Sequence, residues 1–127
     1  ITDMEQFIQG IILENKDFKP ETVASLGRNY GTEYGRILDM ARKDMRLAKP
    51  LNADGEIPAQ ALFAIRNEMA LTLGDILFRR TGIGTLGHPG KEALHTIADT
   101  AASYLKWDSA RKGREIETVE ERFTLPV

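Results

Sequence analysis

Between Pro58 and Arg80 the apolar residues Leu62, Ile65, Met69, Leu73, Ile76 and Leu77 recur at three- and four-residue intervals. No segment of the chain shows the strict alternation of a half-buried strand. That pattern admits helices and little else. Phe63, Ala70 and Leu71 widen the stripe past one face, so this segment is expected to be central and buried on more than one side. If continuous, it would run about 35 Å at 1.5 Å per residue. Thr72-x-x-Asp75 has capping-box spacing, however, and Gly74 weakens the interior, so a break near Ala70–Thr72 competes with the unbroken helix.

The remaining segments carry the same period. Thr2-x-x-Glu5 opens a helix in which Met4, Phe7, Ile8, Ile11 and Ile12 form the inner stripe. Pro20 suits a first helical position, Val23, Leu26 and Tyr30 share a face, and Gly31 offers a left-handed cap. Thr32 is expected to open a helix through Tyr34, Ile37, Leu38, Ala41 and Met45 that ends at Lys49-Pro50. Asn52-Ala53-Asp54-Gly55 is turn chemistry, and residues 81–90 read as a loop. Ala93, Leu94, Ile97, Ala98, Ala101 and Leu105 form the next stripe. Asp108 caps a last helix with Ile116, Val119 and Phe123 inward and a solvated, Glu-rich outer face. The expected fold is all-α, a single-domain bundle of about six helices with short loops. At 127 residues such a chain buries roughly 67% of its extended surface, enough for one core.

Composition closes several routes to function. With no cysteine there is no disulfide, thiolate metal site or cysteine nucleophile. That suits a reducing, cytoplasmic compartment. No apolar run is long enough to span a membrane, and no signal-type start is visible. The first residue is Ile1 rather than Met, so the chain is expected to be cut from something larger. Pro20–Tyr30, Gly31-Thr32 and Glu33–Arg42 mimic helix-turn-helix lengths, with Arg42, Lys43, Arg46 and Lys49 clustered at the end. A pI near 5.7 and the interrupting Glu33, Asp39 and Asp44 speak against phosphate neutralisation. No nucleic-acid partner is expected.

Candidate chemical motifs fare no better. Gly82-Ile83-Gly84-Thr85-Leu86-Gly87 is a literal G-x-G-x-x-G, yet a dinucleotide fingerprint works only between a strand and a helix. Here it comes after a helical segment, so no cofactor-binding residue is assigned to it. His88 and His95, seven residues apart, lack the converging donors of a metal site. Ser25, Ser103 and Ser109 sit in no nucleophile elbow. Glu115/Glu117 and Glu120/Glu121 read as a charged helix face. No catalytic and no metal residue is expected in this chain.

The run Ala64-Ile65-Arg66-Asn67-Glu68-Met69-Ala70-Leu71-Thr72-Leu73-Gly74-Asp75-Ile76-Leu77-Phe78-Arg79-Arg80-Thr81 resembles a known signature. It matches A-V-R-x-E-M-A-x-T-L-x-D-x-L-x-R-R-T of the C-terminal helical domain of FAD-dependent glycerol-3-phosphate dehydrogenases and alpha-glycerophosphate oxidases. Leu26-Gly27-Arg28-Asn29-Tyr30-Gly31 is similar to the family's L-x-x-x-Y-G segment, and Leu105-Lys106-Trp107-Asp108 to its L-G-W-D segment. The resemblance covers roughly residues 20–123. Asn67 stands where the family commonly has His or Glu, and the loop after Arg80 is richer in glycine than the family's.

The resemblance implies a non-catalytic C-terminal domain, residues 19–127, with residues 1–18 a helix or linker from the preceding domain. It implies that FAD and the glycerol 3-phosphate site belong to the N-terminal portion of the same polypeptide, which is this domain's partner. The parent would be cytoplasmic, peripheral on the inner membrane face. A free-standing helical interaction module is the alternative. The candidate docking residues are Arg66, Glu68, Arg79 and Arg80, charges held beside the central helix, where arginine is favoured at interfaces.

Overall fold

The computed structural model describes residues 2–78, the backbone of 79 and 80, residue 83, and residues 87–124. Its contacts fall into two compact units, Ile1–Ala59 and Gln60–Val127. All regular structure among the described residues is helical. None of these helices is long and apolar enough to cross a membrane.

In the first unit, α1 (Asp3–Glu14) begins where Thr2 Oγ1 accepts the Glu5 N–H at 3.1 Å. α2 (Pro20–Tyr30) starts on its proline. The two helices approach closely because residue 27 is glycine: a β-carbon there would lie 2.6 Å from Ile11 Cδ1 and 2.7 Å from Ile8 Cδ1. Phe7 meets Tyr34 edge-on at 5.9 Å. Ile8, Ile11, Val23, Leu26, Ile37, Leu38 and Ala41 supply the buried apolar side chains. The corner after α1 is tied to α3 (Tyr34–Lys43) by Arg42. Its guanidinium donates to both Asp17 oxygens at 2.8 and 3.1 Å, to Asn15 Oδ1 at 2.7 Å and to Asp39 Oδ1 at 3.0 Å. It also lies 5.1 Å from the centre of the Phe18 ring. These hydrogen bonds hold the Asp17 carboxyl below its ordinary value of 3.8.

Three expectations in this unit need correction. Thr32 caps nothing, because the chain turns at Gly31 (φ 56°) through a 3-10 turn, Gly31–Glu33, directly into α3. α3 stops at Lys43 rather than Pro50: Asp44 is extended, and its carboxylate accepts the Arg46 N–H, which competes with helix continuation. Met45 is therefore outside the helix and 72% exposed, and Met4 of α1 is half exposed. The Asn52–Gly55 turn forms as its sequence suggests, with Gly55 N–H donating to Asn52 C=O at 3.1 Å. Gly55 has φ +84°, and a β-carbon there would fall 2.6 Å from the Thr22 amide nitrogen.

The second unit contains α4 (Ala59–Asn67, its first residue shared with the first unit), a π-helical turn at Asp75–Arg80, α5 (Lys91–Leu105) and α6 (Ser109–Thr124). The long central helix is broken. Six successive residues, Ala59 to Ala64, are buried, which places every face of that part of α4 in the interior. Leu73, Ile76 and Leu77 return to the core after the break, where Leu94, Ile97, Ala98, Ala101 and Val119 are also buried. Asp108 Oδ1 accepts the Arg111 N–H at 2.7 Å and caps α6 as expected.

Candidate docking site

The break is where the candidate site forms. Ala64 C=O takes both the Glu68 and the Ala70 N–H at 3.1 Å, closing the end of α4. Met69, between those two amides, is pushed to φ +58°. An L-residue pays about 1–2 kcal/mol for that conformation. The turn buries Ala70 and turns its neighbours outward: Met69 is 78% and Leu71 61% exposed. Both were expected in the core stripe. The helix ends before the period reaches them, so hydrophobic type and spacing alone misplaced them.

Glu68 is the unusual member. Its Oε1 is closed to water and accepts no hydrogen bond among the described residues. A buried oxygen left without a donor costs about 1–3 kcal/mol. Arg66, two residues earlier, is exposed and lies with its guanidinium 5.3 Å from the centre of the Tyr104 ring on α5. Of the four sequence candidates, Arg66 and Glu68 thus fall together at the end of α4. Arg79 and Arg80 belong to the π-helical turn, and their side chains lie outside the described residues.

The chain beyond Leu71 is fixed from both sides of the break. Thr72 Oγ1 accepts the Asp75 N–H at 3.0 Å, as the capping-box spacing suggested, and Asp75 Oδ2 takes the Leu71 N–H at 3.4 Å. Glu115 reaches across from α6: Oε1 accepts the Leu73 N–H at 2.8 Å and Oε2 the Arg111 Nε–H at 3.0 Å. Glu115 is therefore not part of a solvated face, as the sequence pattern had it, but a clamp with only 17% of its side chain exposed.

Beside that clamp lies an open groove of about 560 Å³, its apolar lining made by Leu71, Leu105 and Trp107. Arg111 stacks 5.1 Å from the Trp107 ring centre. Lys106 and Arg114 also line the groove and form no ion pair among the described residues. Lys106 holds the left-handed conformation that ends α5 (φ 61°, ψ 40°), where the resembled L-G-W-D segment has glycine. Sequence reasoning missed this groove; the lysine in a glycine position was its one local signal.

The histidines do other work. His88 Nδ1 accepts the Gly90 N–H at 2.9 Å, so in the neutral ring Nε2 carries the proton and faces Glu120 Oε1 at 2.5 Å. The ring packs 4.9 Å from Phe123, which in turn meets Phe78 at 5.1 Å. His88 thus anchors the approach to α5 onto α6, and His95 is exposed on α5. Among the described residues no group of three His, Asp or Glu side chains could hold a metal. Gly82 and Gly84 lie outside the described residues, but the segment before the glycine motif, Asp75–Arg80, is helical. A dinucleotide fingerprint needs a strand there, so these residues do not fit FAD.

The family model for the C-terminal domain of alpha-glycerophosphate oxidase matches residues 3–112. The chain belongs to that family. The match takes in α1 and the whole α4 break, and ends within the first turn of α6, before Arg114 and Glu115. Glycerol-3-phosphate dehydrogenase 2 of Mycobacterium tuberculosis is 34% identical over 99 residues, 76% of this chain and 17% of the relative. The Mycobacterium leprae glycerol-3-phosphate dehydrogenase is 32% identical over 105 residues, 81% of this chain and 18% of its own. A probable mitochondrial glycerol-3-phosphate dehydrogenase of Dictyostelium discoideum is 30% identical over 100 residues, 77% and 16% respectively. This member of the alpha-glycerophosphate oxidase C-terminal domain family therefore spans about one sixth of the length of those relatives. No solved structure matches the chain significantly.

Proposed function

We propose that this chain is the non-catalytic C-terminal helical domain of an FAD-dependent glycerol-3-phosphate dehydrogenase, and that it packs on the catalytic portion of the same polypeptide. Residues 19–127 form the domain proper, and residues 1–18 lead into it. The parent oxidises glycerol 3-phosphate to dihydroxyacetone phosphate, passing a hydride to FAD and electrons onward to quinone or oxygen. It is cytoplasmic and peripheral on the inner membrane face. Membership of the family and the likeness to glycerol-3-phosphate dehydrogenases support the identity of the parent.

The observation that carries the docking is Glu68 Oε1, buried without a donor among the described residues, beside a strained and exposed methionine. Strained residues persist where surrounding structure or function requires them. A donor from the catalytic portion would complete the carboxylate, and Arg66 would meet the same surface. Arg79 and Arg80 are the second pair of docking residues.

Replacing Arg66 and Glu68 by Ala, and separately Arg79 and Arg80, tests this reading. Calorimetry of the parent should show the domain melting apart from the catalytic portion after either replacement, with substrate-driven flavin reduction retained. The 127-residue chain alone should melt no lower than before: Glu68→Ala removes a buried oxygen that has no donor among the described residues, Arg66 is exposed, and the Arg79–Arg80 replacement is expected to leave the melting unchanged. A large drop in the isolated chain would place these residues inside its own fold and end the docking idea.

A further inference from the structure

The groove beside Trp107 carries chemistry that the four docking residues do not account for. Its lining has three cations, Lys106, Arg111 and Arg114, against one carboxylate, Asp108. Asp108 is engaged by the first turn of α6, and Arg111 is neutralised by Glu115. Lys106 and Arg114 are left without an ion pair among the described residues, against the single charge that Asp108 keeps, next to apolar surface from Leu71 and the half-buried Leu105 and Trp107. Such a surface attracts an occupant that is acidic and apolar at once.

We infer that the groove receives an acidic, apolar segment of the catalytic portion, whose carboxylates meet Lys106 and Arg114 and whose aliphatic or aromatic side chains cover Leu71 and Trp107. This rests on the docking reading above and extends its interface from the end of α4 to the start of α6. Two observations point to the same polypeptide as the source. Leu71 belongs both to the groove and to the strained turn that holds Glu68, so one partner surface would cover both. The relatives carry about five sixths of their length outside the matched region, which supplies the partner in cis. Interdomain contacts of this kind are typically polar, with a modest apolar centre.

Hydrogen exchange on the full-length polypeptide, compared with the 127-residue chain, tests the inference. The Leu71 and Trp107 amides should exchange about tenfold more slowly in the full-length protein, because docking must open before they exchange. Lys106→Glu with Arg114→Glu should abolish that difference while leaving the melting of the isolated chain unchanged. Should the reversed pair not fold, Lys106→Gly with Arg114→Gln should weaken the protection in the same direction. Protection at Glu68 and Ala70 without protection at Trp107 would overturn the groove and leave the docking reading standing. Protection at neither place would overturn both. Protection of Trp107 in the isolated chain by phosphatidylglycerol vesicles, absent in the full-length protein without lipid, would make the groove a membrane contact and refute the inference.

Discussion

Met69 offers a test in which the sign of the effect matters more than its size. In a helix interior, glycine is about 1 kcal/mol worse than alanine. At Met69 the order should invert, because φ is +58°. Alanine keeps the left-handed penalty of about 1–2 kcal/mol. Glycine removes it and gives back about 0.4–1 kcal/mol through the freedom of its unfolded chain. Both lose the same small burial: Met69 is 78% exposed, so about a fifth of a methionine's 1.5–3 kcal/mol is at stake, roughly 0.3–0.7 kcal/mol. Met69→Gly should therefore be more stable than Met69→Ala by about 0.8 kcal/mol and close to the parent sequence. Urea unfolding of the isolated chain measures the difference, which corresponds to about 3–4 °C in Tm for a chain of this size. Alanine equal to or better than glycine would mean that the backbone is not held left-handed there, and the account of the turn would fail. In the full-length protein, either replacement should cost a further 1–2 kcal/mol or so of docking, since most of the methionine's surface is then buried.

Gly55→Ala should destabilise the isolated chain by about 2–4 kcal/mol, combining positive-φ strain with a backbone clash against Thr22, as denaturant melts would show; a loss below about 1 kcal/mol would contradict the close approach. The Asp17 carboxyl sits below its ordinary value because Arg42 hydrogen-bonds it, so the stability it supplies is present above that value and lost as pH falls through the lower folded one. Arg42→Gln should accordingly flatten the acid limb of the stability–pH curve below about pH 4 and leave its neutral limb parallel to the original. Flavin titration of the isolated chain should show no binding at micromolar FAD, as the helix before the glycine motif offers no pyrophosphate cradle.

Short-range chemistry was legible in the sequence, and longer-range geometry was not. Thr2, Thr72 and Asp108 accept the amides their spacing promised, and Pro20 begins its helix, because a cap involves three or four neighbouring residues. The break in the central segment was visible as a competing possibility in Thr72-x-x-Asp75. Its consequence was not: periodicity continues through Met69 and Leu71 although the helix has ended, so both were misplaced inward, as Met45 was beyond Asp44. Glu115 shows the deeper limit. Nothing near it in sequence says that it bonds Leu73, 42 residues away, and the groove lies beside that contact. Of the candidate site, Arg66 and Glu68 came from the family signature. That Glu68 Oε1 is buried without a donor among the described residues could be seen only once the fold was in hand.

The most direct test of the central claim places a photo-reactive benzoylphenylalanine at position 69 of the full-length protein, where the exposed side chain tolerates the larger group. Irradiation and subsequent peptide mapping read which segment lies against the turn. Docking predicts a cross-link to a single segment of the catalytic portion, lost when Glu68 is replaced by Ala. Cross-links confined to residues 1–127, or none beyond solvent quenching, would contradict it.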